Sequence, residues 1–166
     1  MNTDHENKTV RACHEAGHSV VQKLLGIPMI AASLCDTGGK SELQYDLSKY
    51  DKYDRAAKLV MGLWAGPLAE ELFLPPELIA GYPRRDNGFD SDNSQILALS
   101  ATYGGAEPFD WVMSLREKTK SLLLANMRHV KDVAAELMLH GFSLSQFGAL
   151  GAVQPDPVWS RLIFRA

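Results

Sequence analysis

Cysteine is scarce in this sequence, with only Cys13 and Cys35 among 166 residues. Two cysteines cannot form the disulfide framework that stabilises small secreted proteins. No stretch approaches the roughly 18 consecutive apolar residues that a membrane span needs. The first ten residues, MNTDHENKTV, are polar and lack the hydrophobic centre of a signal peptide. We therefore expect a protein of the reducing cytoplasm without a membrane span.

A large excess of charge of one sign is also missing. Lysine and arginine number 17, aspartate and glutamate 20, and the formal net charge is −3. This balance gives no electrostatic basis for binding nucleic acid or an anionic membrane surface, so we expect neither as a partner. The apolar fraction of 46% and the charged fraction of 22% are ordinary for a globular protein. The length fits one domain with its own core.

A complete phosphate-binding loop is the third missing feature. Gly39-Lys40-Ser41 matches the end of a P-loop, but Leu34 stands where the motif requires its first glycine. No helix is predicted after Ser41, and such a loop needs a helix N-terminus to hold phosphate. We therefore expect no nucleotide binding.

The motif that is present, His14-Glu15-Ala16-Gly17-His18, has the form HExxH. It lies in a predicted helix that begins with a capping box at Thr3 and ends at Gly26. Residues four apart lie one turn apart on the same helix face, so both imidazoles can reach one metal ion. Glu15 projects beside them, where it can reach a water on the metal. This arrangement is typical of zinc hydrolases.

The rest of the chain is predicted to be mainly α, with a small β-hairpin or edge sheet after the first helix. One domain is expected over 1–152, followed by a C-terminal tail over 153–166. An irregular loop, which in a compact domain is usually functional, is expected over 75–87. The predicted strands are 29–34 and 41–46, and the predicted later helices are 51–66 (or from 48), 93–103, 108–139 and 143–150.

A catalytic zinc usually has three protein ligands, so one more must come from beyond the first helix. His5 is too far along that helix to share a metal ion with His14. No HExxHxxGxxH pattern follows His18, which argues against the metzincin class. The remaining candidates are His129, His140, Glu70, Glu71, Asp86, Asp90 and Asp92.

Three segments together resemble the peptidase domain of FtsH-type ATP-dependent zinc metalloproteases. HEAGH followed by Ser-Val-Val resembles that family's first zinc helix. The segment 65–73, AGPLAEELF, resembles its glycine-containing stretch with a pair of glutamates. The segment 88–92, GFDSD, resembles the family segment that carries the third zinc ligand. The segments occur in the family's order, and the similarity runs over about 10–150.

The resemblance implies that His14, His18 and Asp92 bind Zn²⁺, with Asp90 as the runner-up ligand, and that Glu15 is the catalytic base. Of the glutamate pair at 70–71, one is a candidate to orient a zinc histidine, but an exposed helix face accounts for both glutamates equally well. The function implied is that of a zinc metalloendopeptidase acting on polypeptide substrates. The chain departs from the family because it has no ATPase module and because Pro67 interrupts a stretch that is usually helical. We therefore expect a stand-alone peptidase domain.

Several alternatives remain open at this point. The chain may instead be a non-catalytic FtsH-peptidase-like binding or assembly module, since no unfolding motor accompanies it. It could also be a different zinc peptidase that uses Glu70 or Glu71 as its third ligand. A homo-oligomer and a separate ATPase partner are both compatible with the resemblance.

Overall fold

The computed structural model of the chain describes residues 2–27, 29–35, 38–43, 51–82 and 89–143. The described part is mainly helical, as predicted, and no helix in it is long and apolar enough to cross a membrane. The predicted tail over 153–166 lies outside the described residues. The elements in chain order are α1 Asp4–Leu24, β1 Met29–Cys35, β2 Gly38–Leu43, α2 Lys52–Phe73, α3 Pro76–Gly81, α4 Phe89–Tyr103, α5 Pro108–Ala125, α6 Met127–His140 and β3 Phe142–Ser143.

Helix α1 begins where the sequence predicts. The Thr3 hydroxyl accepts a hydrogen bond from the Glu6 backbone N–H, and the Glu6 carboxylate accepts one from the Thr3 N–H at 2.6 Å. This reciprocal capping box satisfies donors that the first turn would otherwise leave unpaired. The helix ends before Gly26, whose φ of 72° lies in the left-handed region that glycine tolerates. Most of the second half of α1 is buried.

Helix α2 packs closely against α1 because small residues face each other. A Cβ atom added to Gly17 would lie 2.4 Å from the Ala65 carbonyl oxygen and 2.6 Å from the Ala69 Cβ. Only glycine therefore permits this approach of the two backbones. Gly17, the residue just before the second histidine of the HExxH motif, is therefore a packing position. It brings α2 directly against the face of α1 that carries the histidines.

The core lies between α1, α2, α5 and α6. Its largest fully buried side chains include Met61, Leu68, Leu123 and Leu137. Helix α4 joins this core through Ile96, which is 3% exposed. Burial of Ile96 fixes which face of α4 points inward. Asp92, one turn earlier in the helix, lies on that same face.

A three-stranded antiparallel sheet in the order β2-β1-β3 lies beside α1. The predicted hairpin is confirmed, although β2 begins three residues earlier than predicted and 44–46 lie outside the described residues. The helix predicted to follow a cap at Ser143 lies outside the described residues, which end at Ser143. Ser143 belongs to β3 and pairs with Ala32 of β1. A local capping pattern cannot anticipate a strand partner more than 100 positions away.

Three predicted boundaries are corrected. Helix α2 continues through Pro67 to Phe73 instead of ending near Gly66, because burial of its inner face outweighs the lost backbone hydrogen bond. The loop predicted over 75–87 contains helix α3, which Pro76 begins at its first helical position; 83–87 lie outside the described residues. Helix α4 begins at Phe89, four residues earlier than predicted, and Asp92 lies within its first turn.

The single long helix predicted after Pro108 is two helices. They meet at Asn126, which has φ −119° and ψ 23° and whose side-chain amide donates a hydrogen bond to the Leu122 carbonyl at 2.9 Å. Val130, Val133 and Leu137 are buried. Met127 is 43% exposed because it follows the break. Gly141 ends α6 with φ 73°.

Candidate metal centre

The two histidines of the HExxH motif point their Nε2 atoms at one place. These two atoms are 2.9 Å apart, and the rings meet edge to face with centroids 4.6 Å apart. Two neutral imidazoles can share one hydrogen bond in this arrangement, and two Nε2 lone pairs can also share one metal ion. The groups that contact the two rings decide between a shared hydrogen bond and a shared metal ion.

Both imidazoles are anchored by their other nitrogen. Nδ1 of His14 lies 2.6 Å from Oε1 of Glu70, and Nδ1 of His18 lies 2.8 Å from the carbonyl oxygen of Gly62. Both partners are acceptors, so each Nδ1 carries the proton and each Nε2 is left free to bind a metal when the ring is neutral. Metal-binding histidines in proteins are usually oriented in this way.

Asp92 completes the group from α4. Its Oδ2 atom lies 3.4 Å from Nε2 of His14 and 3.4 Å from Nε2 of His18. This oxygen is buried, yet it has no well-formed hydrogen bond to any described residue. A buried carboxylate oxygen without a well-formed hydrogen bond is costly. The cost is removed if the oxygen binds a cation that the two imidazoles also bind.

The three donor atoms fit one metal ion. In a tetrahedral site with bonds of about 2.0–2.1 Å, donor atoms lie about 3.3–3.4 Å apart. Two of the three separations are 3.4 Å and the third is 2.9 Å. Two imidazole nitrogens and one carboxylate oxygen form a donor set that zinc accepts, and three protein ligands leave a coordination position open. The residues His14, His18 and Asp92 could therefore hold a metal ion.

Gly66 leaves the room in which the imidazoles meet. A Cβ atom at this position would lie 2.5 Å from Nε2 of His18 and 2.6 Å from Nε2 of His14. Gly62, Gly66 and Glu70 are spaced four residues apart and form one stripe along α2. This stripe faces His14 and His18 on α1. Gly66 leaves space for the two rings, the Gly62 carbonyl accepts from His18, and the Glu70 carboxylate accepts from His14.

The charges of the group are strongly coupled in the absence of a metal. Burial lowers the pKa of His14, but its contacts with Asp92 and Glu70 outweigh burial and raise the pKa to about 10. Burial raises the pKa of Asp92, but its contacts with His14 and His18 outweigh burial and lower the pKa to about 2. At neutral pH the metal-free site therefore holds a protonated His14 between two carboxylates. A bound cation would replace that proton.

Glu15, the predicted base, is buried at 7% exposure. Its charge contributes to the raised pKa of His14, which places it in the electrostatic field of the group. Glu15 has its own polar or electrostatic interaction in the structure.

The two adjacent glutamates of α2, Glu70 and Glu71, make different contacts. Glu70 is buried and contacts the side of the His14 ring that faces away from Asp92, so it orients the ring instead of sharing the metal. The neighbouring Glu71 forms an ion pair with Arg116 at 2.6 Å, and its side chain is 54% exposed. The sequence left an orienting group and an exposed helix face as equal alternatives for both glutamates, and in the structure Glu70 contacts His14 while Glu71 is exposed.

The other candidates do not join the group among the described residues. His129 is half-buried on α6, and His140 is exposed at the end of that helix. The backbone of Asp90 lies in the first turn of α4, but its side chain is outside what the structure describes, and Asp86 lies outside the described residues altogether. Cys13, the neighbour of His14, packs in the core. It is 4% exposed, its thiol donates to the Ala69 carbonyl at 3.4 Å, and burial raises its pKa to about 12.

The contributions of Gly62 and Gly66 were not foreseen from the sequence. A signal was present, because glycine inside a helix costs about 1 kcal/mol relative to alanine and its use there indicates a packing or functional reason. Two glycines and a glutamate at intervals of four residues match the interval between the two histidines.

Comparison with protein-family models finds no match for this chain, and comparison with curated proteins finds none either.

Proposed function

We propose that this protein is a zinc-dependent metalloendopeptidase of the FtsH type. The observation that carries the proposal is the convergence of Nε2 of His14, Nε2 of His18 and Oδ2 of Asp92 within 3.4 Å of one another. The buried Glu15 next to His14 supports a hydrolytic role for the same site. The resemblance in the three sequence segments supports the family.

In this proposal His14, His18 and Asp92 hold the zinc ion. Zinc at such a site supplies a Lewis acid that lowers the pKa of a water to about 7 and polarises the scissile carbonyl. Glu15 accepts the proton of the attacking water and passes it to the leaving amine. Glu70 and the Gly62 carbonyl keep the two imidazoles oriented and their Nε2 atoms deprotonated.

The proposed substrate is an extended polypeptide. Strand β2 forms one outer edge of the described sheet, beside α1, and an edge strand can bind a peptide by adding it as a further strand. We propose a cytoplasmic location because the buried Cys13 is a free thiol. In this proposal a separate ATPase partner delivers folded substrates, and a homo-oligomer is compatible with the same site.

The first experiment measures zinc per chain in protein purified without added metal, for the wild type, Asp92→Ala and Asp90→Ala. We expect near-stoichiometric zinc in the wild type and in Asp90→Ala, and a large loss only in Asp92→Ala. Both variants remove one carboxylate from the first turn of α4, so they are matched in helix and in charge. Loss in Asp90→Ala alone would assign the third ligand to Asp90.

Cleavage of a loosely structured polypeptide is the second experiment, with Glu15→Gln as the control that retains the ligands. We expect zinc to remain bound in Glu15→Gln while cleavage falls by roughly 10²- to 10⁴-fold. Equal cleavage by both proteins would remove Glu15 as the base. Tightly bound zinc without cleavage in the wild type would favour the non-catalytic binding or assembly module.

A further inference from the structure

A cavity of about 240 Å³ lies between α1, α6 and the C-terminal end of α2. Most of its walls are apolar and are formed by Ala12, Phe73, Leu74, Val130, Ala134 and Met138. It opens to solvent along α6, where the lining residues Lys131 and Ala135 are exposed. The cavity is separate from the candidate metal centre, because Cys13 lines it whereas the adjacent His14 points about 100° away around α1.

The polar groups on the inner walls already have hydrogen-bond acceptors. The Thr9 hydroxyl donates to the His5 carbonyl at 2.9 Å, and the Cys13 thiol donates to the Ala69 carbonyl at 3.4 Å. The backbone groups of helical walls are bonded within their own helices. The cavity therefore offers little to a peptide backbone, whose polar groups must stay paired when they are buried. An alkyl chain has no such requirement.

Lys131 is the one charged side chain among the described residues that line the cavity. No carboxylate of the described residues forms an ion pair with it. Burial and the charge of Glu70 raise the pKa of Cys13, and the charge of Lys131 opposes this rise. The ammonium group is therefore close enough to act electrostatically on the inner wall. A cation at the mouth of an apolar cavity is complementary to a ligand with an apolar chain and an anionic head group.

The volume of the cavity sets the length of the chain that it can hold. An apolar cavity of about 150 Å³ is large enough to hold benzene, which has six carbon atoms. By proportion, the cavity of about 240 Å³ holds about eight to ten carbon atoms. This is the length of a medium-chain fatty acid.

We propose that this cavity binds a free medium-chain carboxylate of about eight to ten carbon atoms, with its alkyl chain between α1 and α6 and its carboxylate beside the ammonium group of Lys131. The carboxylate stays at the exposed mouth, where water still solvates it, so no charge is buried. The site is a second ligand site of the protein, and it requires neither a metal ion nor a substrate at the candidate metal centre.

The first test varies the length of the chain. Butanoate, octanoate, decanoate and dodecanoate are titrated into the ¹⁵N-labelled protein below their critical micelle concentrations. We expect saturable shifts of the Cys13 and Ala134 amide signals with octanoate. Each buried CH₂ group contributes roughly a factor of four to affinity, so butanoate should bind about 100-fold more weakly than octanoate.

Dodecanoate distinguishes a closed cavity from unspecific adsorption. It should bind at most about fourfold more tightly than decanoate, because the cavity is already full. Adsorption to an open apolar surface would instead add about 16-fold for the two further CH₂ groups. A gain of that size, or the absence of saturable shifts with octanoate, would overturn the proposal.

The second test reverses the charges. Octylammonium has the same chain length as octanoate, and an exposed ion pair changes affinity by up to about fivefold. We expect octanoate to bind at least about fivefold more tightly in the wild type and octylammonium to bind more tightly in Lys131→Glu. Lys52→Glu is the matched control, an exposed lysine at the other end of α2, about 30 Å from Phe73. It should keep the preference of the wild type, and an equal preference in both variants would contradict the proposed place of the carboxylate.

The third test fills the cavity. Ala134→Phe places a ring among the apolar walls, and Ala101→Phe makes the same change at an exposed alanine of α4 that does not line the cavity. We expect octanoate binding to be lost in Ala134→Phe and retained in Ala101→Phe, with dispersed amide spectra in both. Equal binding in the two variants would overturn the proposal, and the Lys131→Glu result decides it if Ala134→Phe does not fold. These measurements involve neither zinc nor cleavage, so their failure would leave the proposed function standing.

Discussion

Replacement of Gly66 by alanine tests whether the space over the two imidazoles is needed for metal binding. The added Cβ would lie 2.5 Å from Nε2 of His18, 2.6 Å from Nε2 of His14 and 2.7 Å from its Cε1. Favourable non-bonded contacts of carbon lie near 3.5 Å or beyond. Both rings must therefore retreat by about 1 Å, or α2 must move away from α1.

The two effects of this substitution can be separated in magnitude. Alanine is favoured over glycine in a helix interior by about 1 kcal/mol, whereas overpacking costs about 1–3 kcal/mol. The free energy of unfolding of the metal-free protein should therefore fall by at most about 2 kcal/mol. Metal–ligand distances tolerate only about 0.2 Å of error, so displacement of both imidazoles should weaken zinc binding by at least about 100-fold.

The assay is competition for zinc against a chromophoric chelator, combined with denaturant unfolding in the presence of excess chelator. Gly62→Ala is the matched control, since it makes the same change one turn earlier in α2. Its Cβ would lie 3.2 Å from Cγ of Gln22, a flexible side chain that can move. We expect zinc affinity within a few-fold of the wild type in the control. Wild-type affinity in Gly66→Ala would refute the proposed place of the metal.

Other predictions follow from the same contacts. Gly17→Ala should lower the free energy of unfolding by about 1–3 kcal/mol in chemical denaturation, since the added atom would meet a backbone oxygen that cannot rotate away. Glu70→Gln should weaken zinc binding by about 10- to 100-fold in chelator competition, whereas Glu71→Gln should leave it unchanged; equal effects would contradict the orienting role of Glu70. The raised pKa of His14 predicts opposite responses to pH. Its contribution to the stability of the metal-free protein is complete below the unfolded value of 6.5 and is lost as pH rises through about 10, which thermal unfolding in chelator can follow. Zinc binding needs the neutral ring and should tighten about tenfold per pH unit between 7 and 9, so a flat pH profile would contradict this coupling.

Local signals in the sequence identified most helix starts and stops. The capping box at Thr3, the cap at Asp51 and the left-handed Gly141 all have the roles that their residue types predict. These signals act within a few residues, so they can be read without knowing the fold. The errors arose where distant contacts dominate. Pro67 remains inside α2, and the pairing of Ser143 with β1 was not anticipated.

The sequence predicted the residues of the candidate site but not which neighbouring residues orient them. The spacing of His14 and His18 fixes two donors on one helix face, because both lie on the same element. The choice of Asp92 came from a resemblance, and the geometry of the residues alone left seven candidates open. The division between Glu70 and Glu71 also needed the structure. Adjacent residues of a helix point about 100° apart, and only packing decides which of them faces inward.

The sequence by itself determined the pair of histidines, the adjacent carboxylate and the helix that presents them, since all of these depend on local periodicity. Only the tertiary structure decided that α4 brings Asp92 to within 3.4 Å of both imidazoles and that Gly66 leaves them room to meet. It also decided which groups hold each Nδ1. The physical reason is that these contacts join residues 44 to 78 positions apart. Their distances follow from the burial of the apolar faces of α1, α2 and α4, which no local pattern specifies.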